Sequence, residues 1–140
     1  MKKVVFISVT IILILFVGFS MFSQSDYYHN FADSVKWKQL RDGFDWDKIN
    51  NVEITGFQIE LNESEKLELV NSLSRASFYR SNWRKEGPTG TVITVSFKSG
   101  NIQHFQYWGG NIFETSYKGG QFLIKSDEMK KIMNKYGIKE

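Results

Sequence analysis

Residues Val4 to Phe22 form a run of nineteen without a charge, dominated by Ile, Leu, Val and Phe. A helix of that length, rising ~1.5 Å per residue, spans about 28 Å, close to the ~30 Å hydrocarbon core of a bilayer. Lys2 and Lys3 precede the run, and the positive-inside tendency keeps them in the cytoplasm and sends everything after Ser23 across. The expectation is a signal-anchor transmembrane helix over residues 1–23 and a single-pass protein of the cell membrane with its C-terminal domain outside. The competing expectation is a secreted protein, cut from a signal peptide near Gly18, Ser20 or Ser23. No A-x-A site is present, and the run exceeds the ~7–15 residues of an ordinary signal-peptide core, which favours retention.

Past the anchor, about 118 residues remain, enough for one small domain with one core. Lys2 and Lys3 are two of eighteen basic residues, leaving sixteen against fifteen acids. The basic pI therefore owes much to the targeting signal and does not argue for nucleic acid. Cysteine is absent, which excludes a lipid-anchored lipobox protein, disulfides and thiolate zinc sites. Stability must come from packing, and a 16% aromatic content supplies large side chains for it.

Residues 24–50 read as a juxtamembrane linker. Tyr27 and Tyr28 stand where interfacial aromatics stand, and Phe31, Val35 and Leu40, with Trp37 beside them, suggest a weak helix that ends at Asp42-Gly43. Asp45-Trp46-Asp47 lacks the further ligands of a calcium loop and reads as a polar turn with one packed Trp. The domain is expected over 51–140. Val52 and Ile54 alternate in one phase and Phe57, Ile59 and Leu61 in the other, so Gly56 suggests a bulge in one bent strand. Asn62 and Glu65 form a capping box, and Leu69, Val70, Leu73 and Ala76 the buried stripe of a helix running to about Ser77. A loop over 78–90 leads to four strands, 91–97, 102–108, 112–117 and 121–125, separated by glycine-marked turns. Ser126 caps a last helix with Met129, Ile132, Met133 and Tyr136 on one face, and Gly137 is its left-handed terminator. The fold class is α+β: an N-terminal transmembrane helix, then strand, helix, four strands and helix, with a mainly antiparallel sheet and helices on one face.

Catalytic chemistry has little to stand on. There is no G-x-S-x-G and no H-E-x-x-H, and the glycine pairs do not open helices as a phosphate loop requires. His104 and Glu114, if placed opposite each other on neighbouring strands, are the only acid–base candidates. No metal site and no cofactor are predicted.

The stretches Gly87-Pro88-Thr89, Ile93 to Phe97, Trp108-Gly109, Phe113-Glu114 and Leu123-Ile124-Lys125-Ser126 mark a pattern that runs from Gly87-Pro88 through the hairpins to the final helix. Their pattern resembles small uncharacterised membrane-anchored or secreted extracytoplasmic domains of Gram-positive bacteria. The resemblance implies a fold type and an envelope location, and no catalytic residues. The expected function is thus a non-catalytic binding or regulatory module of the envelope; the alternative is a secreted inhibitor or immunity-type protein. In a meander that begins beside the 78–90 loop, Tyr79, Arg80, Trp83, Arg84, Lys85 and Trp108 should gather at one end of the sheet, where the linker enters. There Trp83 and Trp108 would close that end of the core, or the exposed Trp, Arg and Lys would rest on the headgroup surface or grip an anionic envelope ligand or an envelope protein.

Overall fold

The computed structural model describes residues 2–56, 60–81 and 87–138, with the side chains of 2–7 and 9 outside the description. The chain divides into two compact units, Met1–Ala32 and Asp33–Glu140. In the first unit, helix α1 runs Lys2–Ser23, and α2 (Asp26–Gly43) begins after a short break. Ser25 makes that break: its Oγ donates to the Phe22 carbonyl at 2.6 Å and accepts the Tyr28 N–H at 3.2 Å. The Phe22 ring packs against Tyr27 and Tyr28. Counted from Thr10, where the description of its side chains becomes continuous, α1 is too short to cross a membrane alone, and among the described residues no other single helix is long and apolar enough. Thr10–Ser23 and Asp26–Gly43, bent at their break, meet the length and composition requirements only as a pair.

The second unit is α+β, with six strands in one antiparallel sheet: β1 (Ile49–Thr55), β2 (Ser77–Ser81), β3 (Val92–Phe97), β4 (Ile102–Gly109), β5 (Ile112–Tyr117) and β6 (Gly120–Lys125). The order across the sheet is β1-β3-β4-β5-β6-β2, so β3 to β6 form the expected meander. The sheet has one strand more than the sequence suggests. β2 occupies the start of the segment read as a loop and pairs with β6 at the far edge, Ser77 opposite Lys125 and Ser81 opposite Phe122. Five residues with only Phe78 and Tyr79 as β-formers leave too short a pattern to announce a strand, and pairing with β6 supplies what propensity does not. β1 also differs from expectation, ending at Thr55 with Gly56 in a left-handed turn at φ 101°; Phe57 and Ile59 lie outside the described residues.

Helix α3 (Glu63–Ser74) joins the two edge strands and so must cross the sheet. Its capping box is present as read: the Asn62 side chain accepts the Glu65 N–H and Glu65 returns the bond to the Asn62 N–H. Leu69, Val70, Leu73 and Ala76 are all buried, though the helix itself stops at Ser74. Helix α4 (Asp127–Lys135) starts on the Ser126 cap and ends in a Schellman motif. Gly137, at φ 70°, donates to Asn134 O, and Ile138 donates to Met133 O and is buried.

The packed unit begins at Asp33, within the segment read as a linker. Its first helical turns bury Asp33, Trp37 and Leu40, spaced i, i+4 and i+7, while Phe31 and Val35 of the expected stripe are exposed. Trp37 lies edge-on to Phe105 and tilted against Phe122 on the sheet, and its indole N–H donates to the Ala76 carbonyl at 3.0 Å. Trp46, in the turn before β1, donates to the Arg41 carbonyl at 2.7 Å and closes over Phe44 and Phe97.

The start of α3 and the end of α4 are joined by Glu65 and Lys135 at 2.8 Å. The Lys135 ammonium first, then the Asn62 N–H and Tyr136, hold the Glu65 carboxyl down at about 2. Burial, with Glu65 beside it, pushes the Tyr136 phenol up to about 12. Glu65 therefore adds stability that is present above its ordinary 4.5 and lost as pH falls toward about 2. Tyr136 adds stability that is present below 10.0 and lost as pH rises through about 12. Glu65→Gln should flatten the acid limb of the unfolding midpoint between about pH 4.5 and 2. An acid limb identical to that of the unaltered protein, followed by thermal unfolding across pH, would contradict this origin.

Candidate functional site

The alternation of β3 to β6 separates two faces. Ile93, Val95, Phe97, Phe105, Tyr107, Phe113, Phe122 and Ile124 point to the helices and are buried. The opposite face carries Thr94, His104, Gln106, Trp108, Glu114 and Ser116, as an antiparallel sheet with one solvated side should. It is not simply a wet surface. Glu114 is only 3% exposed there, and Leu123, its partner across β5–β6, 1%.

A groove of about 450 Å³ runs over this face, lined by His104, Gln106, Glu114, Ser116 and Gln121, with Val92 and Ile102 at its sides. Trp108 anchors the acidic residue: its indole N–H donates to Glu114 Oε2 at 3.0 Å. His104 is engaged elsewhere, its Nδ1 3.1 Å from Thr94 Oγ1. The cross-strand register places Glu114 opposite Gln106. Since Phe105 faces Thr115, His104 falls opposite Ser116, two positions from where an acid–base pair would need it. The two side chains share a face but not a hydrogen bond among those described.

Beneath the groove floor, buried Gln103 stitches β4 to β5. Its amide donates to Thr115 Oγ1 and to the Ser116 carbonyl at 3.0 Å, and the Thr115 hydroxyl donates to the His104 carbonyl. This rigid polar stitch was not singled out from the sequence, where a Gln flanked by Ile and His carries no signal. The groove glutamines escaped for the same reason, although their alternation with Phe105, Tyr107 and Phe122 is visible in retrospect.

The cluster expected at one end of the sheet divides. Trp108 does sit beside the end of the 78–90 segment, because Thr89 donates its N–H and its hydroxyl to the Tyr107 carbonyl. Tyr79 and Arg80 stand instead on edge strand β2, Arg80 opposite Leu123 and three strands from β4, about 14 Å at ~4.8 Å per strand. Both are exposed, with the Arg80 guanidinium 5.8 Å from the Tyr79 ring centre. Trp83, Arg84 and Lys85 lie outside the described residues. The segment leading into β1 also enters at the other end: Ile49 faces Phe97, Lys98 donates to the Lys48 carbonyl, and it is the last residue of β1, Thr55, that faces Val92. The direction of β1 is opposite to the one inferred from chain order, because α3 crosses between the two sheet edges rather than folding back beside β1.

Among the described residues no group of three or more His, Asp or Glu could hold a metal ion. Comparison with protein-family models, with curated proteins and with solved structures finds no match for this chain.

Trp108→Phe keeps the ring and removes the N–H, leaving a buried carboxylate with one donor fewer. The expected cost is about 1–3 kcal/mol of unfolding free energy in urea, and Glu114→Gln added to that background should recover part of it. Equal stability of Trp108→Phe and the unaltered protein would mean the bond does not hold Glu114 in place.

Proposed function

We propose that this chain is a membrane-anchored extracytoplasmic module that holds a ligand on its open sheet face and does no covalent chemistry. The observation that carries the reading is the contrast between the two units. Every large apolar side chain described on α1 from Ile11 to Phe22 is exposed, Phe16 to 72%, whereas Asp33–Glu140 closes a core of its own. An apolar helix with no covered face needs an apolar surrounding, and α1, 22 residues and about 33 Å long, suits a bilayer. Lys2 and Lys3 at its start favour a cytoplasmic N-terminus.

For the ligand, the groove lining is the guide. Amides, hydroxyls and one imidazole offer both donors and acceptors, and Glu114 accepts only. No Lys or Arg lines it among the described residues, so an uncharged ligand rich in hydroxyl and amide groups, such as an envelope glycan, suits it better than an anion. The separate bonds of His104 and Glu114 support binding over acid–base catalysis.

Protease added outside intact protoplasts should digest the domain and leave a short membrane fragment that retains the N-terminus. Release of a soluble product of about 118 residues would overturn the anchored reading in favour of secretion.

A further inference from the structure

The β1 edge of the sheet has a groove beside it that differs in character from the sheet-face groove. It encloses about 610 Å³ between residues 44–51 and helix α3. β1 is the outermost strand, so alternate residues point their N–H and C=O groups away from the sheet, and none of the described residues pairs with them. Edge strands are commonly protected by Lys or Pro, and Ile49–Thr55 contains neither. Its one irregularity lies at the start, between Ile49 and Asn51, and from Val52 to Thr55 the pairing with β3 is regular.

The two sides of this edge differ in chemistry. On the helix side, Leu67 is 61% exposed and Val70 and Ile49 border the same space. On the other side Glu53 is exposed, hydrogen-bonded through its carboxylate to Asn51. The groove rim adds Asp45, Asp47 and Glu63 against two ammoniums, Lys48 paired with Asp45 and Lys66 paired with Glu63, so the rim keeps an excess of one carboxylate. An added strand would place alternate side chains over Leu67 and the others beside Glu53.

We propose that the β1 edge receives an extended, basic peptide segment as a seventh strand, with apolar side chains turned into the α3 groove and Lys or Arg turned toward Glu53 on the opposite face. Main-chain bonds give the affinity and the alternation gives the selection. The site is independent of the sheet-face groove and of the membrane anchor.

The test uses the full chain in phosphatidylcholine nanodiscs and a synthetic octapeptide of alternating Lys and Val. Binding should perturb the amides of β1 from Ile49 to Thr55 and change Trp46 fluorescence. N-methylation of every second peptide amide on one edge should abolish binding, and Glu in place of Lys should do the same. Glu53→Lys and Leu67→Glu, both at positions exposed in the free chain, should each weaken binding about tenfold. The proposal is overturned if no binding occurs, if the N-methylated peptide binds equally, or if the perturbed amides lie elsewhere. It is overturned as well if the edge is found filled by a second copy of the chain, seen as a cross-linked dimer through β1.

Discussion

The Trp37 indole is the contact on which the arrangement of the domain depends. Its N–H reaches the Ala76 carbonyl, where α3 hands over to β2, while its ring rests on Phe105 and Phe122 from the middle and far side of the sheet. One side chain thus fixes α2 against the sheet and pins the link by which α3 crosses from one edge strand to the other. A buried aromatic of this size contributes on the order of several kcal/mol by the area it removes from water. The buried N–H is satisfied by a carbonyl that would otherwise face an apolar interior.

From this constraint the two faces of the sheet acquire different roles. The helices cover the inner face, and the two grooves of about 450 and 610 Å³ lie on the outer face and at the β1 edge. On the outer face half-buried Trp108 holds buried Glu114 inside an otherwise polar groove. At the β1 edge, backbone groups that pair with none of the described residues lie beside an exposed Leu67. In the functions proposed above, the former would take a hydroxyl-rich ligand and the latter a peptide, and the two share no residue.

Most local features were legible because each has a short-range physical cause. Asn62 with Glu65, Ser126 and Gly137 announce helix ends through bonds that three or four residues determine. The β3–β6 meander is announced by alternating residues and glycines that adopt positive φ at Gly100, Gly109 and Gly119. What escaped was non-local. β2 is a strand because β6 offers it an edge, and α2 joins the core because Trp37 finds a pocket built by residues far along the chain. The direction of β1 follows from a crossing helix, which chain order does not reveal. The site is non-local in the same way: Trp108 and Glu114 each stand out in the sequence, but their bond follows from the β4–β5 register, which places Glu114 opposite Gln106, and that register is not written in either strand alone.

That the domain begins at Asp33 and is closed by Trp37 is decided by comparing two fragments, one starting at Asp33 and one at Phe44, both ending at Glu140 and both keeping β1 and the Phe44, Trp46 and Phe97 rings. Urea unfolding followed by near-ultraviolet circular dichroism should show a cooperative transition for the longer fragment. The shorter should have lost that transition or have a midpoint lowered by several kcal/mol equivalent, as expected when a core Trp is removed together with its helix. Coincident transitions for the two would contradict the account, because the core would then close without α2.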